Sequence, residues 1–124
     1  MFKALCFTSV LAFAGCSDSY VAGGSVDGAR IFSSACARCH GADGVPSQAM
    51  MARTGAKSLV SSEIQKSWTD DQLRKQILQG SASRSMPAFK GALKDEQLDA
   101  LIVYIRTLGA TKPDRKSSPK APAK

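Results

Sequence analysis

Residues 36–40 read Cys36-Ala37-Arg38-Cys39-His40, which is the Cys-x-x-Cys-His pattern of a c-type haem attachment site. In such a site the two thiols add across the haem vinyl groups, and the adjacent histidine becomes the proximal iron ligand. The spacing lets both sulfurs reach one edge of the porphyrin while the next side chain lies beneath the iron. His40 is the only histidine in the chain. We therefore predict one covalent haem, attached through Cys36 and Cys39, with His40 as an iron ligand.

Two other sites share part of this pattern. A zinc site needs about four ligands, and the sequence has no second cluster of cysteine and histidine to complete one. A thioredoxin-like Cys-x-x-Cys opens a helix inside a βαβ pattern, and no strand-like run surrounds residues 36–39. Both alternatives are weaker than haem attachment.

The second axial ligand is predicted in the segment Met86-Pro87, which lies in a loop-like stretch between two helical patterns. A thioether is a soft ligand for haem iron, and Pro87 biases the preceding residue away from helical backbone angles. The alternative for Met86 is a buried side chain that fills a gap in the core. Met50 and Met51 are rival ligands, but they follow His40 by only about ten residues, so the chain would have to cross the haem face within that length.

Together these residues resemble the small monohaem class I cytochromes c, and the resemblance covers about residues 27–108. Gly28 and Phe32 precede the attachment motif with the spacing of the family's first helix, and Leu101 and Tyr104 match its last helix. The resemblance implies an all-α fold in which three to four short helices wrap around one covalently attached haem. In the family the two terminal helices cross, and the glycine allows their close approach.

Two positions depart from the family pattern. Lys94 stands where a Ser or Thr cap usually precedes the last helix, and Pro46 lies closer to His40 than the family proline does. That proline accepts the Nδ1 hydrogen of the histidine in the family. We expect some such acceptor here, because it fixes the tautomer and raises the basicity of the ligand.

Residues 1–16 are typical of a secretory signal. Lys3 provides a short positive region, and residues 4–15 form a mostly apolar run that is too short to span a bilayer. Phe13-Ala14-Gly15-Cys16 resembles a bacterial lipobox, which predicts a lipid on Cys16. Ala12-Phe13-Ala14 offers an ordinary signal peptidase site instead. Both alternatives predict export, and we favour the lipoprotein.

The rest of the chain divides into three parts. We predict that residues 17–26 form a flexible tether, which would span roughly 17 Å. Residues 27–109 are predicted to form the haem domain. Residues 110–124 predict a disordered basic tail, because the segment from Lys112 has no large apolar residue. The chain has a net charge of +7, of which this tail supplies about half.

Within the domain, three helices are predicted. Asp27 is the expected N-cap of the first, Thr69 and Gln72 form a capping box for the second, and Gly80 ends it. The third carries the strongest apolar stripe and is expected to end at Gly109; the stripe consists of Leu98, Leu101, Ile102, Ile105 and Leu108. A further short helix is predicted near residues 58–64.

Some side chains are candidates to contact the haem propionates. Trp68 is a candidate through its indole N–H, although it could also pack on the haem edge without a hydrogen bond. The cationic candidates, each of which could instead be simply solvated, are Arg38, Arg53, Lys57 and Arg84.

These features predict a monomeric electron carrier rather than an enzyme. A small chain that supplies both axial ligands leaves no open coordination position for a substrate. The expected partners are donor and acceptor proteins that bind transiently on the periplasmic side, with membrane attachment through the lipid on Cys16. Export excludes nucleic acid as a partner. The alternatives are a haem subunit of a larger redox enzyme, and a gas sensor in which Met86 is labile.

Overall fold

The computed structural model describes residues 20–111. The predicted signal, residues 17–19 of the tether, Cys16 and the tail from residue 112 lie outside the described residues. A short 3₁₀ turn, Val21–Gly24, and a π-helical turn, Glu63–Ser67, accompany five α-helices. The helices are α1, Gly28–Ala35; α2, Ala37–His40; α3, Gln48–Thr54; α4, Asp70–Gln79; and α5, Asp95–Thr111.

The predicted all-α class is confirmed. Between residues 20 and 111 there is no strand, and the only β-type pairing is an isolated bridge between Lys90 and Leu93. The helical parts are more numerous than the three to four helices expected, because several of them are one or two turns long. None of the helices in this range is both long and apolar enough to cross a membrane.

The core is built where α1 packs on α5. Ile31 and Phe32 of α1 are fully buried, and the ring of Phe32 lies 5.3 Å from that of Tyr104. A Cβ atom at Gly28 would lie 2.8 Å from the Cβ of Tyr104, and closer still to the carbonyl oxygen of Ala100. The expected glycine contact between the terminal helices is therefore confirmed, because any side chain here would push them apart.

The predicted helix caps are present. The Asp27 carboxylate accepts hydrogen bonds from the backbone N–H groups of Ala29 and Arg30 at the start of α1. Thr69 and Gln72 exchange both hydrogen bonds of a capping box at the start of α4. Gly80, with φ of +71°, ends that helix. These local interactions determine where α1 and α4 begin and where α4 ends.

The segment between α2 and α4 differs from the prediction. Helix α3 was not predicted, and the short helix expected at residues 58–64 is a turn followed by the π-helical turn Glu63–Ser67. The sequence of α3 shows no apolar stripe, and none of the α3 residues is buried. Its caps, Ser47 and the left-handed Gly55, were the available signal.

The predicted end of α5 at Gly109 is wrong by two residues, because the helix continues to Thr111. Gly109 lies against the side chain of Gln65 instead. A Cβ atom there would overlap the Gln65 side chain. The amide of Gln65 donates hydrogen bonds to the carbonyls of Leu59 at 2.6 Å and Ile105 at 3.0 Å. The glycine thus leaves room for a side chain that links the π-helical turn region to α5.

The described part of the predicted tether is attached to the domain. Gln97 is fully buried at the start of α5, and its amide donates to the carbonyls of Val21 and Ser25 at 2.9 and 2.8 Å. The backbone N–H of Val21 donates to Ala92. The oxygen of the Gln97 amide accepts from the N–H of Lys94, which is the half of a capping box that the side chain inside the helix supplies. Residues 21–25 therefore belong to the packed structure.

Candidate haem-binding site

The Cys-x-x-Cys-His motif lies at a helical bend. Helix α1 ends at Ala35, and the backbone N–H groups of Cys39 and His40 both donate to the carbonyl of Cys36, at 3.1 and 2.9 Å. Gly41, with φ of +79°, ends the turn immediately after the histidine. One helical turn thus fixes both sulfurs and the imidazole relative to each other.

Both cysteines are half-buried free thiols. Burial, with a smaller contribution from the neighbouring Cys39, raises the pKa of the Cys36 thiol to about 11. Burial raises the pKa because it disfavours the charged thiolate.

The orientation of His40 is fixed by the backbone. Its Nδ1 atom lies 3.0 Å from the carbonyl oxygen of Lys57. A carbonyl can only accept, so the contact is a hydrogen bond when Nδ1 carries the proton. Nε2 is then the ring nitrogen with a free lone pair. The acceptor expected from the sequence is therefore present, but Lys57 provides it rather than Pro46.

A single cavity of about 240 Å³ brings the predicted site residues together: Cys36, Cys39, His40 and Met86 all line it. The two rival sulfurs of Met50 and Met51 do not line it. Most of the remaining wall is apolar, and it includes Leu59, Ile64, Leu73, Ile77, Phe89, Leu93, Leu101 and Ile105.

The donor set fits a c-type haem. Two thiols, one imidazole and one thioether face a cavity whose wall is otherwise mainly aliphatic and aromatic, as a large apolar macrocycle requires. Lys57 is the only residue with a full charge among those that line the cavity. The walls come from all five α-helices and the segments between them.

Met86 is held by the loop that follows α4. A Cβ atom at Gly80 would lie 2.6 Å from the Met86 carbonyl oxygen, so only glycine allows the loop to fold back this closely. Ser81 binds both backbone polar groups of Met86: its N–H donates to the Met86 carbonyl, and its hydroxyl accepts from the Met86 N–H, each at 3.0 Å. Pro87 also lines the cavity.

The side chains that are candidates to contact the haem propionates do not all line the cavity. Trp68 lines the cavity, as predicted for either of its two roles. Lys57 lines it too, although its ammonium group pairs with Glu63 at 2.9 Å. Arg38, Arg53 and Arg84 are not among the lining residues.

Arg106 supports the site and was not predicted. Its guanidinium donates to the carbonyls of Ile64 and Trp68, at 2.8 and 2.7 Å, and pairs with Asp70 at 2.8 Å. It thereby satisfies carbonyl groups around the end of the π-helical turn and connects them to α4. An arginine on the last helix carries no sequence signal for this role, because its partners are backbone carbonyls some forty residues away.

Comparison with known proteins gives three findings. The family described as "Cytochrome C oxidase, cbb3-type, subunit III" matches residues 26–105. Cytochrome c6 of Nostoc sp. strain PCC 7120 is 34% identical over 91 residues, which cover 72% of this chain and 75% of that protein. The solved structure of the KustC0563 c-type cytochrome matches with a TM-score of 0.60 and 30% identity, over 66% of this chain and 96% of that one.

Proposed function

This chain belongs to the small class I c-type cytochromes and is a haem c electron-transfer protein, and from that premise we propose that His40 and Met86 are the axial ligands of its iron. The observation that carries this proposal is that both side chains line one cavity together with Cys36 and Cys39. The two cysteines would attach the haem covalently. When bound, the haem supplies reversible one-electron chemistry between ferric and ferrous iron.

The protein groups around the haem would each have a defined task. Lys57 holds the proton on His40 Nδ1 and so leaves Nε2 to the iron. The loop that contains Met86 presents the thioether, and ligation by histidine and methionine raises the reduction potential. The mainly apolar wall would keep water away from the buried part of the haem. If His40 and Met86 both bind the iron, no position would be left on it for a substrate, so we propose a carrier and not an enzyme.

The proposed place of action is the exported side of a membrane, where the carrier would meet donor and acceptor proteins as a monomer. The signal-like residues 1–16 and the covalent haem, which this family receives after translocation, support this location. Contacts between redox partners are typically small and short-lived. A lipid on Cys16 would add membrane attachment.

A second candidate function is that of a haem subunit in a larger redox enzyme. The name of the matching family, which refers to subunit III of a cbb3-type oxidase, favours it. Separation of native membranes in mild detergent distinguishes the two functions. A carrier should migrate near the mass of one chain, whereas a subunit should migrate with a large complex.

Electrochemical titration of the purified holoprotein, followed by absorption, tests the proposed function. We expect a single reversible one-electron step, and no rapid binding of carbon monoxide to the reduced protein because His40 and Met86 would both bind the iron. Rapid carbon monoxide binding would instead indicate the gas-sensor alternative, in which Met86 leaves the iron.

A further inference from the structure

The loop that contains Met86 is connected to a second part of the site through one side chain. The hydroxyl of Ser85 donates a hydrogen bond of 2.8 Å to the backbone carbonyl of Thr54, 31 residues earlier in the chain. Ser85 and Thr54 are both half-buried, and both line the cavity. This bond joins the loop to an element other than itself and α4.

Thr54 belongs to a short segment that also supports the opposite ligand. Residues 54–57 all line the cavity, and the carbonyl of Lys57 accepts the hydrogen bond from His40. The Thr54 hydroxyl stabilises the start of this segment, because it donates to the Met50 carbonyl at 2.8 Å and accepts from the Ala56 N–H at 3.2 Å. The Met86 loop is therefore attached to the segment that orients the histidine.

The loop offers a matched comparison for Ser85. Ser83 is exposed, and its hydroxyl contacts the hydroxyls of Ser81 and Ser85, at 3.1 and 2.8 Å. Loss of the Ser83 hydroxyl removes no bond between the loop and Thr54. Loss of the Ser85 hydroxyl removes the bond to Thr54, together with the contacts of the same hydroxyl with Ser81 and Ser83 at 3.3 and 2.8 Å.

We propose that Ser85 is a positioning residue for Met86: it holds the loop against residues 54–57 and so keeps the sulfur in the cavity. The inference rests on the proposed role of Met86 as an axial ligand. Without the Ser85 hydroxyl, the loop moves away from the cavity more often. A ligand from solution would then replace the Met86 sulfur more readily. The apparent affinity of such a ligand scales with the population of the form in which the loop has moved away.

Imidazole binding to the oxidised full-length holoprotein, measured well below the unfolding temperature, tests the proposal. Ser85→Ala should raise the apparent affinity for imidazole by about two- to ten-fold, the range expected for loss of one hydrogen bond. Ser83→Ala should leave the affinity unchanged, and Ser85→Thr, which keeps a hydroxyl, should restore the wild-type value. Equal affinities for wild type and Ser85→Ala would overturn the proposal.

A double variant tests whether Ser85 acts through the methionine. In Met86→Ala the sulfur is already absent, so adding Ser85→Ala should change the imidazole affinity no further. A further rise in the double variant would contradict the proposal, because Ser85 would then act on the cavity in another way.

Failure of the proposed ligand set is recognised separately. If Met86 is not a ligand, Met86→Ala leaves both the near-infrared sulfur-to-iron charge-transfer band of the wild type, where it has one, and the imidazole affinity unchanged. If only the role of Ser85 is wrong, Met86→Ala raises the affinity and Ser85→Ala does not.

Discussion

His40 Nδ1 and the carbonyl oxygen of Lys57 lie 3.0 Å apart, although 17 positions separate the two residues in the chain. The support of the histidine is thus a backbone group, and it does not depend on which side chain occupies position 57. The lysine side chain itself points to a different partner, Glu63, with more than half of each side chain exposed.

This arrangement predicts that Lys57→Ala leaves the iron site unchanged. The substitution removes an exposed ion pair, which contributes at most about 1 kcal/mol to stability, and it keeps the carbonyl. The reduction potential and the spectra should match those of the wild type. A changed potential would show that the ammonium group, and not the carbonyl alone, acts on the site.

Covalent attachment predicts that colour stays with the protein during acid–acetone extraction. Cys16→Ser should retain the colour, because Cys16 is not part of the attachment motif. His40→Ala should yield no stable holoprotein, since the haem is expected to be part of the core and His40 to bind its iron. Extraction of the colour into the solvent would exclude a c-type haem.

Met86→Ala should abolish the near-infrared sulfur-to-iron band of the oxidised protein and lower its reduction potential, because the thioether raises that potential. Met51→Ala is the matched control. Met51 is 39% exposed and does not line the cavity, so its removal should leave the band and the potential intact. If Met51→Ala abolished the band and Met86→Ala did not, the iron ligand would be Met51 and not Met86.

Gly28→Ala should destabilise the holoprotein by about 1–3 kcal/mol, the usual range for overpacking, because the new methyl group would collide with the backbone of α5 at Ala100. Thermal unfolding measures the effect. Ser34→Ala, at an exposed position of the same helix, should change the free energy of unfolding by only a few tenths of a kcal/mol. Equal melting temperatures for the two variants would mean that the helices separate without cost.

A lipid on Cys16 predicts that the protein stays with membranes washed in high salt, because several acyl chains bind far more strongly than one. The basic tail alone would give attachment that salt screens. Cys16→Ser should release the protein or block its processing. Recovery of the wild type in the soluble periplasmic fraction would indicate ordinary signal cleavage.

The sequence was most informative where the interactions are local. The attachment motif, the caps at Asp27 and Thr69 and the stripe on α5 depend on residues within a few positions of each other, and all of these features are present in the structure. Helix α3 was missed because it buries none of its residues. Gly109 was misread because its constraint is the Gln65 side chain, which is distant in sequence.

The supports of the site could not be predicted for a related reason. Lys57 contributes a carbonyl that every residue type has, and Ser85 and Arg106 donate to carbonyls far away in sequence. Such hydrogen-bond partners can be identified only from the folded structure. The proposed ligand residues could be predicted from the sequence, because their side-chain chemistry and their spacing are specific.

The attachment of residues 21–25 to Gln97 shortens the connection to any membrane anchor. Four residue steps separate Cys16 from Tyr20, which is at most about 14 Å of extended chain, and the ring of Tyr20 lies 4.5 Å from the ammonium group of Lys94. A lipid on Cys16 would then keep the beginning of α5 close to the bilayer. The domain would then meet its partners by rotation and by lateral diffusion in the plane of the membrane. Electron transfer would be limited to partners that this position close to the bilayer allows it to contact.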